Sequence, residues 1–202
     1  MKWLDIAFKF LLLIFSNNNI AAQCIIGIKF LSSDQEVEAF STEYSGCPVV
    51  NGNIVISSGV TNLLSLSFLE GINGSLSFVN TETDLLFDGL ENLRFIKDDL
   101  TLQGVFFNND APAFPSLVAI DSNLLIYNST LTNPNIFEKI EHIGGNLNIY
   151  KTQLDSLVSF KNIRVLNDFF ISESSIQSFE GLKNLDSIRG YMRWEYLPFV
   201  SF

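Results

Sequence analysis

The chain has 202 residues, 47% of them hydrophobic and 19 of them Phe, and carries a formal net charge of -10. That apolar mass excludes a disordered chain, because enough side chain is available to offset the entropy of ordering. The acidic balance disfavours nucleic acid and anionic membrane surfaces as partners, since both require a clustered Lys/Arg face.

Lys2 and Lys9 precede an apolar run, Phe10 to Phe15, and Ile20-Ala21-Ala22-Gln23 follows a polar stretch. The pattern predicts a signal peptide over residues 1–23, with a buried N-terminal helix as the competing reading. The run is far below the ~20 apolar residues that a membrane span needs, so no membrane insertion of the mature chain is expected. Cys24 then opens the mature chain, and export favours its pairing with Cys47, the only other cysteine; two buried free thiols are the alternative.

Ser33 with Glu36 three residues later is a capping-box signature, and Val37, Phe40 and Tyr44 follow at helical spacing before Gly46. Residues 24–50 are therefore read as an N-terminal cap, with an amphipathic helix over 34–45 and a disulfide between Cys24 and Cys47. In the loop-closure picture such a bridge contributes about 3 kcal/mol.

From residue 51 onward, pairs of apolar residues two apart recur, the period of one face of a strand. They are Ile54/Ile56, Leu76/Phe78, Leu100/Leu102, Leu124/Ile126, Leu147/Ile149, Phe169/Ile171 and Met192/Trp194, with first members 22 to 24 residues apart. Ahead of each pair stand three further apolar positions: Leu66, Leu69 and Ile72, for example, or Phe137, Ile140 and Ile143. Turn residues such as Asn73-Gly74 and Gly144-Gly145 stand just before the strands. A single strand with a return segment cannot bury its own apolar face, so stacking is required. The expectation is a repeat solenoid over 51–202, a parallel β-helix of about seven coils of 22–24 residues behind the capping helix. The last stretch, Tyr196 to Phe202, is apolar and carries no polar cap. An incomplete final coil, covered by a partner or by further coils, is expected there.

Asp88-Gly89-Leu90-Glu91-Asn92-Leu93, Glu180-Gly181-Leu182-Lys183-Asn184-Leu185 and Ile143-Gly144-Gly145-Asn146-Leu147-Asn148-Ile149 resemble the receptor L-domain, a leucine-rich solenoid, and its relatives in secreted bacterial proteins. The opening, Cys24 followed by Ser45-Gly46-Cys47-Pro48 and Asn51-Gly52-Asn53-Ile54, resembles the bacterial receptor L-domain-containing proteins. The resemblance covers residues 24 to 195 and implies a single-stranded right-handed solenoid with a habit of binding ligands. It implies no particular ligand.

Catalytic chemistry has few candidates. His142 is the single histidine, which makes neither a zinc site nor a triad, so no metal or cofactor is expected. A glycan-active β-helix enzyme would need paired carboxylates. The residues preceding the strand anchors run Asn53, Ser75, Asp99, Asn123, Asn146, Asp168, Tyr191, and no two acids adjoin. Glu82/Asp84, Asp98/Asp99 and Asn109/Asp110 read as solvated turn groups rather than acids or calcium ligands. Asn73-Gly74-Ser75 and Asn128-Ser129-Thr130 match the glycosylation pattern, although turn geometry accounts for Asn at such places.

Outward positions offer more. Those between the anchors run Val55, Ser77, Thr101, Leu125, Asn148, Phe170, Arg193, and those after them Ser57, Val79, Gln103, Tyr127, Tyr150, Ser172, Glu195. Leu125, Tyr127, Tyr150 and Phe170 form a candidate ligand-binding patch rimmed by Lys151 and Glu173; cross-strand stabilisation, or cover by a return loop, is the alternative role. The reading is a secreted or cell-surface binding module for protein or glycan, not an enzyme. A structural spacer or adhesin segment is a further alternative.

Overall fold

The computed structural model describes residues 24–81, 85–107, 112–133 and 135–198. The expected signal peptide lies outside them, as do Glu82, Asp84, Asn109, Asp110 and the last four residues.

Parallel strands dominate the molecule, most of them in one large sheet, an arrangement compatible with a β-solenoid. The first strand, Ile25–Leu31, lies alongside the long strand Val49–Ser57, and between them runs an α-helix, Asp34–Tyr44. The helix forms where the capping residues place it. Ser33 is the N-cap, its Oγ accepting from the Glu36 N–H at 3.3 Å, and the Glu36 carboxylate accepts in return from Ser32 N–H at 2.6 Å, one residue earlier than a regular capping box. Val37, Phe40 and Tyr44 are its buried face. Asp34 ties it to the following segment by accepting from Thr61 N–H and Oγ1–H and from Asn62 N–H. Those bonds, led by the Thr61 hydroxyl, hold the Asp34 carboxyl below its ordinary pKa. Cys24 and Cys47 form a disulfide that joins the start of the first strand to the residues after the helix.

Strand Val49–Ser57 is shared by two rows. Its first half continues through Gly71–Asn73, Phe95–Ile96, Ala119–Ile120 and His142–Ile143. Its second half continues through Leu76–Val79, Leu100–Gln103, Leu124–Tyr127, Leu147–Tyr150, Phe169–Ser172 and Met192–Glu195. In that second row the register partners are the apolar pairs expected from the sequence: Ile54, Leu76, Leu100, Leu124, Leu147, Phe169 and Met192 lie side by side. All but the last pair are buried. Met192 and Trp194 keep the register and remain exposed, because among the described residues no strand lies beyond them.

The return segments supply the opposite wall of the core. Phe114, Phe137 and Phe160 stack in sequence, with ring centroids 5.4 Å and then 5.8 Å apart. Elsewhere on this side Gly89 permits close approach to the preceding segment: at φ +114° it sits against Leu63 O, where a Cβ would collide. Asn92, Asn162 and Asn184 each donate from Nδ2 to a carbonyl of the preceding return segment, on Ser67, Glu138 and Lys161.

A tight corner follows each of the six strands of the long row from Leu76–Val79 onward. Asn80, Gly104, Asn128, Lys151, Glu173 and Tyr196 all have φ between +49° and +63°, the left-handed region. Just past this corner Ser129, Thr152 and Ser174 turn their hydroxyls inward and donate to the carbonyls of Tyr127, Tyr150 and Ser172. Ser129 and Ser174 also accept from Val105 N–H and Thr152 N–H at the preceding corner, so these buried polar groups are satisfied. Left-handed backbone costs an ordinary L-residue roughly 1 to 2 kcal/mol, and Asn less. Glu173→Asn is therefore expected to raise stability by about 0.5 kcal/mol despite loss of its 3.7 Å exposed ion pair with Lys151, since such pairs contribute little. Denaturant unfolding checks this; a lower midpoint would show that the corner is not strained.

Candidate functional site

The outward face of strands Leu124–Tyr127, Leu147–Tyr150 and Phe169–Ser172 carries the residues singled out from the sequence. Tyr127 and Tyr150 are register partners, and Leu125, Asn148 and Phe170 form the neighbouring row, so Leu125 and Phe170 stand on either side of Asn148. All four residues of the candidate patch are half-buried rather than fully exposed. Each alternates with an inward residue that is completely buried, which fixes the direction in which these side chains leave the sheet.

Polar groups border the patch. Lys151 Nζ lies 5.0 Å from the centre of the Tyr150 ring and pairs with Glu173, while the Arg193 guanidinium carbon lies 5.8 Å from the centre of the Phe170 ring. The Tyr150 hydroxyl, and after it the Glu173 carboxylate, raise the Lys151 pKa. Ser172 departs from expectation. Its position in the row is outward, yet it is buried, because its small side chain sits between Tyr150 and Glu195 on the adjoining strands.

The residues that precede the anchors form a continuous hydrogen-bonded ladder. Ser75 N–H donates to Asn53 Oδ1 at 2.8 Å, Asp99 N–H to Ser75 Oγ at 3.3 Å, and Asn123 N–H to Asp99 Oδ1 at 3.0 Å. Asn146 N–H then donates to Asn123 Oδ1 at 2.9 Å, Asp168 N–H to Asn146 Oδ1 at 3.2 Å, and Tyr191 N–H to Asp168 Oδ1 at 2.7 Å. Asp99 and Asp168, the carboxylates a glycan-cleaving reading would need, are thus engaged as acceptors for the backbone of the next strand.

His142 lies exposed at the start of a two-residue strand and is paired through its backbone N–H with Val118 O. Among the described residues no cluster of three His, Cys, Asp or Glu could hold a metal ion. Of the glycosylation patterns, Asn73 and Asn128 are exposed; Asn73 donates to Asn51 Oδ1, and Ser129 is buried in the hydroxyl row. A polar groove lined by Glu141, Lys161, Asn162, Arg164 and Asn184 lies on the return segments, away from the tyrosines; its Arg164 already donates to Asn184 O.

Sequence reasoning missed Phe30. The first strand pairs with the second so that Phe30 is the partner of Val55, which extends the outward row, and it is 66% exposed. Ile28 and Phe30, two apart, were the available signal; Ile26 ahead of them is buried instead, because the register shifts between Ile25 and Gly27.

No family model matches this chain, and no solved structure matches it significantly.

Burial acts alone to raise the Asp99 pKa and is the largest single influence, but the bonds from Asn123 N–H, the Ser122 hydroxyl and the Asn123 amide together outweigh it, and the pKa is lowered. A carboxyl with a lowered folded pKa contributes stability that is present above its unfolded value of about 3.9 and is lost as pH falls through the folded value. Asp99→Asn keeps the acceptor and removes the titration. Melting curves from pH 6 down to pH 2 are expected to show a shallower acid decline for this variant; an unchanged slope would mean the ladder bond does not favour the carboxylate.

Proposed function

We propose that this chain is an exported, non-catalytic recognition module. In this reading it is an L-domain-like, right-handed solenoid whose coils of 22 to 24 residues follow an N-terminal cap over 24–50, and it presents the Leu125, Tyr127, Tyr150 and Phe170 patch to a protein or glycan at the cell surface. One observation carries it: three successive strands hold Tyr127 beside Tyr150, with Leu125 and Phe170 either side of Asn148 in the neighbouring row, on a face whose opposite side is locked into the core. Aromatic groups held this rigidly lose little entropy on binding and provide both apolar faces and hydroxyl donors.

Further observations support parts of the reading. A disulfide suits an oxidising compartment, and no helix among the described residues is long and apolar enough to cross a membrane. The continuous ladder through Asp99 and Asp168 gives those carboxylates structural work, which weighs against a glycan-cleaving enzyme. The sequence motifs shared with the receptor L-domain agree with a binding role.

The test is capture from an array of glycans and cell-surface proteins, comparing the native chain with Tyr127→Ser/Tyr150→Ser. The double variant is expected to weaken capture by roughly tenfold or more, with a much smaller loss of folding stability. A variant that melts early yet retains affinity when folded would assign the tyrosines to cross-strand packing and leave a spacer as the better reading; turnover of an arrayed glycan would revive the enzyme.

A further inference from the structure

Among the described residues, Met192–Glu195 is the last strand and the far edge of the long row. It is paired on one side with Phe169–Ser172, through bonds that include Phe169 N–H to Tyr191 O and Glu173 N–H to Glu195 O. In a parallel pair the residues alternate between facing the partner and facing away, so Met192 and Trp194 direct their N–H and C=O groups to the free edge. Beneath that edge lies a mostly apolar groove lined by Phe179, Leu182, Leu185 and Met192, with Glu180 and Lys183 at its margin. Met192 and Trp194, whose equivalents in the preceding strands are buried, are 41% and 48% exposed.

Charge is arranged on the other face of the same strand. Arg193 and Glu195 both point outward, with Arg193 Nη2 2.6 Å from Glu195 Oε1. Consider a second copy approaching this edge antiparallel, about a two-fold axis. Trp194 then meets Trp194 of the other copy as a mutually hydrogen-bonded pair, because the free backbone groups are those of alternate residues. In that register each Arg193 stands opposite the other copy's Glu195, as a closely spaced pair without backbone bonds between them. Centring the axis on Arg193 or on Glu195 instead would set like charges against each other. The apolar grooves of both copies meet below the continuous sheet. The opposite end of the molecule offers no such fit. There the edge strand, Ile25–Leu31, exposes Ile25, Ile28 and Phe30 but carries Lys29 as its single charge, so no reciprocal ion pair arises, and the helix beside it carries Glu36, Glu38 and Glu43.

We propose that Met192–Glu195 is a self-association edge, at which two copies of this chain pair antiparallel through Trp194 with reciprocal Arg193 to Glu195 contacts. The contact is isologous and therefore closes at two copies. It also covers an open strand edge that would otherwise template aggregation.

The experiment measures mass in solution by sedimentation for the native chain, Arg193→Glu, Glu195→Arg and an equimolar mixture of the two variants. The native chain is expected to run as a dimer at tens of micromolar, each variant as a monomer, and the mixture as a dimer, because two acidic edges repel while an acidic and a basic edge match. A monomeric native chain, variants that still dimerise alone, or a mixture that stays monomeric would each overturn the proposal. Hydrogen exchange on the native chain gives a readout independent of any variant. The Trp194 and Tyr196 amides should be protected at high concentration and exchange at least tenfold faster on dilution; equal rates at both concentrations would overturn it as well.

Discussion

If the strand carrying Leu147 slipped by one residue against the strand carrying Leu124, Asn148 and Tyr150 would turn into the core while Leu147 and Ile149 faced water. Register between neighbouring parallel strands is what prevents this, and the remaining features of the molecule depend on it. The apolar partners Ile54, Leu76, Leu100, Leu124, Leu147 and Phe169 are each buried by the strand before and the strand after. None of them could be buried by its own strand and return segment alone, without the neighbouring ones stacked on either side. At roughly 1.5 to 3 kcal/mol for each fully buried side chain, the file is a substantial source of stability in the fold.

Three polar devices hold that register. Before each strand, a side-chain oxygen of the preceding strand's lead residue accepts the backbone N–H of the next, from Asn53 through to Asp168. After each strand from Leu76–Val79 onward a left-handed residue turns the chain, and hydroxyls at Ser129, Thr152 and Ser174 satisfy buried backbone groups at the corner. On the return side, Asn92, Asn162 and Asn184 bind carbonyls of the preceding segment. The inner wall is thus fixed by burial and the corners by hydrogen bonds. The outward face is left free to vary in sequence without cost to the core, and that is where Tyr127, Tyr150 and Phe170 are found. The same logic accounts for the two ends of the described residues: the helix Asp34–Tyr44 packs its buried face at one, while Met192 and Trp194 stay exposed at the other.

Much of this was legible in the sequence. Apolar residues two apart at intervals of 22 to 24 residues named the register partners of the long row, and Ser33 with Glu36 marked where the helix begins. The alternation along each strand also placed Leu125, Tyr127, Tyr150 and Phe170 on one face. Other features were hidden for physical reasons. Asn, Ser and Asp at the ladder positions are chemically different, and only the three-dimensional contacts show that all present an oxygen to the same kind of N–H. The left-handed corner is occupied by Asn, Gly, Lys, Glu and Tyr, so no residue type announces it. Ser172 keeps its outward position yet is buried, because alternation predicts direction only, and a small side chain between Tyr150 and Glu195 is covered by its neighbours.

The most direct test compares two substitutions one residue apart. Leu147→Asp places a charge in the buried file, and Asn148→Asp places the same charge on the outward face of the same strand. Equilibrium unfolding in urea is predicted to show that the first abolishes the cooperative transition while the second shifts stability by no more than about 0.5 kcal/mol. Similar destabilisation by both, or tolerance of Asp at position 147, would contradict a core built on register-matched apolar partners.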